Sequence, residues 1–274
     1  MDVALGSDIA LLSYVLEVLG EHSCPPVEIA LMFPASAALL LAYALCARRI
    51  QDSLLYMPLF RIRTFRISVV GGVITRLAIV GVPFLLPLLY PIGLGYGPLM
   101  ARLLTAPLVV GAIGMKIMSR PLLQRFGHRH ALVWNTVLLG ANLMLYVLIG
   151  QNASVLLIIA PSLTQGLFSS LQFTCMNSLT YADVADEHAS HASSAASTAQ
   201  QMALSFGVAS ASLVAALFLG GVEQADSVRY IAGLHGTFPG RGGFTILSAL
   251  IFGKLRARDG SNMSHYLLRK EAVE

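Results

Sequence analysis

The chain has 274 residues, of which 56% are hydrophobic and only 12% charged. A soluble domain carries about 25% charged residues, so this chain has too few to cover a soluble surface, and a mean hydropathy of +0.72 agrees. The formal net charge of +4 sits in clusters separated by long apolar runs. That pattern argues against a soluble enzyme, a disordered chain and a nucleic-acid-binding domain, and for an all-α polytopic bundle of transmembrane helices.

A bilayer-crossing helix needs ~20 mostly apolar residues. In chain order, eight stretches approach that length: 3–20, 29–47, 67–90, 94–118, 131–150, 155–175, 200–221 and 236–255. The first carries Asp8 and Glu17. The last is interrupted by Pro239, Gly240, Arg241, Gly242 and Gly243, which leaves a clean core of 244–255 and predicts a helix that starts late or spans poorly. The segment 177–199 breaks the apolar pattern with acids and histidines, and its small-residue half reads as a helix leading into the seventh span.

The connections orient the bundle. Arg48, Arg49, Arg61, Arg63 and Arg66 lie between the second and third spans, and Arg120, Arg125 and Arg129 between the fourth and fifth. Lys254, Arg256 and Arg258 follow the eighth, whereas the opposite loops hold only Arg229. The positive-inside rule places the basic side in the cytoplasm, and an even number of spans puts both termini there. The start, Met1-Asp2-Val3-Ala4, lacks the basic region of a secretory signal.

Arg76 stands about a third of the way into the third span. An arginine at mid-membrane costs about 2.5–3.5 kcal/mol on insertion scales, so it is expected to face a bundle interior or a cavity, or else to snorkel to the interface. Arg102 and Lys116 lie near span ends, where interfacial anchoring explains them. Glu17, close to the outer end of the first span, is either a proton-binding carboxylate or a solvated helix end. Amides gather at Gln165 and Gln172 in the sixth span and at Gln200 and Gln201 at the start of the seventh; they either line a substrate path or bond neighbouring helices. Gly71, Gly72, Gly81, Pro83, Pro87 and Pro107 inside spans permit close approach and bending.

No phosphate-binding loop, GxSxG elbow or HExxH motif occurs. Cys24, Cys46 and Cys175 have no metal-ligand spacing and read as packing thiols. His188 and His191 lie near Asp183, Asp186 and Glu187, a group better explained as a solvated loop than as a metal site. No cofactor or metal is expected.

The segment KIMSRPLLQRFGHR, residues 116–129, has the form of a basic turn between paired helices. It resembles the loop signature of the major facilitator superfamily, carried here by Arg120, Arg125, Gly127 and Arg129, with Gln124 where the stronger copy has an acid. The stretches 58–98, 178–209 and 247–266 are similar to the C-terminal helices of the fourteen-span drug:proton antiporters of the EmrB/QacA type. The resemblance covers nearly the whole chain. It implies that 1–57 holds two central-type spans and the start of a cytoplasmic linker, and that 58–274 is the C-terminal six-helix bundle with a short tail. It further implies a bacterial inner-membrane protein that exports small amphipathic compounds against protons, with Arg76, Gln172, Gln200 and Gln201 near the substrate path or its gate. The N-terminal bundle of that family has no counterpart in these spans, so the partner expected beyond lipid, protons and substrate is a separate N-terminal half or a second copy. The alternative is a non-transporting membrane module, either a truncated half or a regulatory subunit.

Overall fold

A computed structural model describes residues 57–151, 153–219, 227–256 and 259–260. The first two expected spans, with Glu17, Cys24 and Cys46, lie outside the described residues. A 3-10 turn (Met57–Arg61) enters α1 (Arg63–Ile79), followed by α2 (Val82–Leu88) and a π-helical turn (Leu89–Gly93). Next come α3 (Pro98–Leu145), a 3-10 turn (Tyr146–Leu148) and α4 (Val155–Tyr181). A last 3-10 turn (Asp186–His188) leads to α5 (Ala189–Leu219) and α6 (Ser227–Gly253). Every regular element among the described residues is helical. Arg63–Gly93, Pro98–Leu148 and Val155–Tyr181 are long and apolar enough to cross a membrane.

The second of these consists of two antiparallel arms. Gly127 has φ 70° and ψ 162°, which ends one helical arm (98–126, α3a) and starts another (128–145, α3b). A positive φ of that kind costs glycine little and costs other residues more. Contacts with α4 fix the directions. Ala112 pairs with Ser170 and Leu108 with Gly166, so α3a runs parallel to α4. Asn135 pairs with Gln172 and Asn142 with Gln165, so α3b runs antiparallel to it. The basic segment expected as a loop over 116–129 is therefore helical through Phe126, with Pro121 inside the helix, and one residue makes the turn.

Two further boundaries differ from expectation. The third span begins at Arg63 and is broken at Val80–Gly81, ahead of Pro83. The final helix does not start late: α6 is continuous from Ser227 through Pro239 and the glycines to Gly253. In a bilayer no water competes for the backbone, so the helical hydrogen bonds hold across residues that would break a helix in water. The small-residue half of 177–199 is helical and continuous with the seventh span, as expected.

The core divides into two ends. At one, Ile67, Leu132, Cys175, Leu179 and Phe252 pack together. At the other, Leu86, Tyr90, Tyr146, Ile158 and Phe238 do so, with Tyr146 stacked on Phe238 at 5.2 Å. Between them, glycines bring backbones together. A Cβ on Gly166 would overlap the Leu108 carbonyl, and one on Gly111 the Leu163 carbonyl, so α3a and α4 touch main chain to main chain. Gly140 and Gly242 do the same for α3b and α6. Small residues at such crossings let dispersion and weak backbone contacts replace the hydrophobic drive that lipid does not supply.

Gly166→Leu is expected to separate α3a from α4 and lower stability by about 1–3 kcal/mol or more, the usual cost of overpacking. Gly114→Ala, on the same arm with open space around its Cα, is expected to be neutral. Thermal melts of the two variants in detergent, followed by circular dichroism, compare them; equal melting temperatures would refute the packing role of Gly166.

Candidate functional site

The break between α1 and α2 leaves a helix end inside the bundle. The last four carbonyls of a helix have no donor within it, and here the Arg76 carbonyl takes the Val80 N–H. Those of Leu77 and Ala78 are taken from outside. Arg241, on α6, donates Nε to the Ala78 carbonyl at 2.9 Å and Nη2 to that of Leu77 at 2.7 Å. The same Nη2 lies 3.3 Å from the Gly207 carbonyl of α5. Arg241 is 6% exposed, and the carbonyl end of the α1 dipole favours a cation there. Gly81 is required by contact: a Cβ would strike Ala211 and the Arg241 guanidinium. Sequence reading placed Arg241 among helix breakers. The signal it passed over is that the run 227–253, taken whole, contains only Arg229 and Arg241 as charges within helical length.

Arg76 is equally buried, at 6% exposure. Its Nη2 donates to Asn177 Oδ1 of α4 at 3.3 Å and to Gln200 Oε1 of α5 at 3.1 Å. The guanidinium lies over the Phe173 ring at 5.2 Å. Gly72 leaves the space for it, since a Cβ there would meet Nη1. Arg76 and Gln200 are thus brought together, with Asn177 added, a residue the sequence did not single out. All their partners are neutral.

The other amides have structural neighbours. Gln172 gives Nε2 to Thr136 and takes the Asn135 amide at 2.8 Å. Seven residues on, Asn142 repeats the bond to Gln165 at 2.8 Å. Each asparagine also donates to a backbone carbonyl of α4, Phe168 or Pro161. These two rungs, a heptad apart, clamp α3b to α4. They differ at one point. Thr164 donates to Asn142 Oδ1, but one heptad later the position is Leu171, and Asn135 Oδ1 is buried without a donor. Gln172 therefore sits in a helix clamp, and Gln201 is exposed on α5.

A groove of about 630 Å³ runs between α1, α2, α3a, α4 and α5. Its walls are largely apolar, including Ile79, Val80, Leu108 and Val109, with Gln165, Ser169 and Ser170 among the polar lining. Phe173, Asn177 and Lys116 also line it, so Arg76 stands directly behind its wall. The parallel pairing of Ala112 with Ser170 sets Lys116 beside Thr174, at the level of Phe173 and Asn177.

The loop-motif residues lie away from the groove. Arg120 and Arg125 are exposed, and Arg125 lies 5.9 Å from the Phe126 ring. Arg129 is half-buried next to His128, whose Nε2 is 3.1 Å from Ser178 Oγ. At the same end Arg63 holds both carboxylate oxygens of Asp259, at 2.5 and 2.8 Å. Arg102 is exposed. Among the described residues no three His, Cys, Asp or Glu side chains gather as metal ligands.

These helices and the apolar surface they turn outward define an integral membrane protein. No protein-family model matches the chain. It is 32% identical over 216 residues, 79% of its length and 46% of the relative's, to a Pectobacterium atrosepticum protein provisionally named multidrug resistance protein MdtD. A protein of the same name from Cronobacter sakazakii is 31% identical over 234 residues, 85% of this chain and 49% of the relative. A Haemophilus influenzae protein, HsrA, provisionally named a transport protein, is 30% identical over 180 residues, 66% of this chain and 39% of the relative. The chain spans about half the length of the curated relatives it matches. These similarities support the resemblance to major facilitator drug transporters.

Arg241→Ala is expected to leave two or three buried carbonyls without donors and to lower stability by about 3 kcal/mol or more, at ~1–3 kcal/mol for each unsatisfied group. Arg241→Lys, with one ammonium for several carbonyls, should recover only part of it. Gln172→Leu should cost about 1–3 kcal/mol by removing one of the two acceptors of Asn135 Nδ2 and the donor to Thr136 Oγ1. Melting temperatures in detergent check all three; an Arg241→Ala protein as stable as the parent would overturn the carbonyl clamp.

Proposed function

We propose that this chain is the C-terminal part of a fourteen-span major facilitator exporter, in which 1–57 supplies two central spans and 58–274 the C-terminal bundle. The reaction is efflux of small amphipathic compounds driven by protons. The protein sits in the bacterial inner membrane with both ends in the cytoplasm. The observation that carries this reading is the groove: a cavity of about 630 Å³ among membrane helices, apolar along its length, with polar groups at defined points. Such pockets suit drug-sized apolar ligands, and similarity to proteins named for multidrug resistance points the same way.

In this reading the groove is one wall of the substrate path. A second bundle, on the same polypeptide or another, supplies the facing wall, and alternating access is the rocking of one against the other. Arg76, held by Asn177 and Gln200, is the gating residue on this side: its neutral partners are weak enough to exchange for substrate or for a group on the facing bundle. Gln172 contributes by holding α4 in register, and Gln201 lies where α5 enters the membrane. Arg120, Arg125 and Arg129, with the turn at Gly127, form the cytoplasmic contact that stabilises one gate state. Glu17 is a candidate proton site.

In a complete transporter containing this sequence, Arg76→Ala is expected to lower drug resistance by tenfold or more, about 1.4 kcal/mol in the rate-determining step. The check is the minimal inhibitory concentration at matched membrane expression. Unchanged resistance removes Arg76 from the path.

A further inference from the structure

Among the described residues the groove has a charge bias that its walls do not neutralise. Between Met57 and Arg256 the acids are Asp183, Asp186, Glu187, Glu223 and Asp226, and none falls within α1–α6. The cations do. Arg76 stands behind the wall at Phe173 and Asn177, and Lys116 lines the same end. Arg76 is bonded there only to amide oxygens, at 3.3 and 3.1 Å, which are long for charge-assisted bonds. A guanidinium held by dipoles in a low-dielectric site gains more from a carboxylate than from an amide, because the charged acceptor offsets its desolvation. A cationic ligand in the same place meets like charge that little water screens.

We propose that the groove takes amphipathic anions, an aromatic or alicyclic body bearing a carboxylate, with the acid group at the Arg76–Lys116 end and the body along Ile79, Val80, Leu108 and Val109. This rests on the groove being the substrate path. The carboxylate displaces the Asn177 amide from Arg76 and pairs with the guanidinium, and Lys116 adds a second, more exposed charge. Phe173, already under the guanidinium, keeps its face in place while the partner changes.

The test is binding of tritiated 2-naphthoate to the full 274-residue chain in nanodiscs of zwitterionic lipid, with 2-naphthamide and naphthylmethyl-trimethylammonium as competitors. The naphthoate is expected to bind about tenfold more tightly than either, and Arg76→Gln to remove that preference by lowering naphthoate affinity to that of the amide; tenfold corresponds to 1.4 kcal/mol. Arg76→Lys should keep most of the preference. If Arg76→Gln does not yield monodisperse protein, Lys116→Gln carries the same reading and should lower naphthoate affinity several-fold with no effect on the amide. An ammonium compound bound as tightly as the naphthoate, or a preference that survives both neutral variants, overturns the anion proposal and leaves the groove standing as a binding site. Absence of binding by all three compounds overturns the groove reading along with it.

Discussion

A guanidinium held by backbone carbonyls joins the helices at the centre of the described bundle. Arg241 reaches from α6 to the carbonyl end of α1 and to α5, so three helices are joined at one point. The arrangement solves two problems at once. A helix that ends within the membrane exposes carbonyls that lipid cannot satisfy, and an arginine there needs acceptors. Each supplies what the other lacks. The break at Val80–Gly81 is stable because Arg241 is present, and Arg241 is tolerated because the break is present. Val80, Val82 and Pro83, at and just after the break, line the groove.

Much of the topology was legible because it depends on apolar length. The runs at 67–90, 155–175 and 200–221 contain or border α1–α2, α4 and α5 for that reason. The errors came where local propensity and the membrane disagree. Pro239 through Gly243 reads as a stop, yet Gly242 serves as a contact, meeting Gly140 backbone to backbone, and Arg241 beside it has its acceptors on other helices. No local window shows acceptors 163 residues away, as Arg241 and Ala78 are here. In the same way a basic run over 116–129 looks like a loop, because charge predicts water and says nothing of backbone. Only Gly127 departs from helix.

The candidate site was partly readable. Arg76 stood out by its cost, and its partner Gln200 by its polarity at the start of an apolar run. Asn177 was hidden at the start of the stretch 177–199 that breaks the apolar pattern, although α4 extends into it as far as Tyr181. Gln172 looked like a groove residue because an amide facing a path and an amide facing a helix are the same letter. The distinction lies in the spacing of its partners: Asn135 and Asn142 are a heptad apart, as are Gln165 and Gln172, and two such pairs in antiparallel order describe a clamp.

That clamp also bears on how the pair comes together during synthesis. A helical hairpin packed by uniform leucines can slide by two turns with little change in energy. Here, sliding α4 two turns along α3b would set Asn142 against Gln172, but would place Asn135 against Leu179 and Gln165 against Ile149. Two amides would then lie unbonded in hydrocarbon, at several kcal/mol each. The two rungs act as a vernier: each is common chemistry, but only one alignment closes both. The same helix presents Phe173 and Asn177 to Arg76 from another face, so α4 carries the clamp and the wall of the groove together.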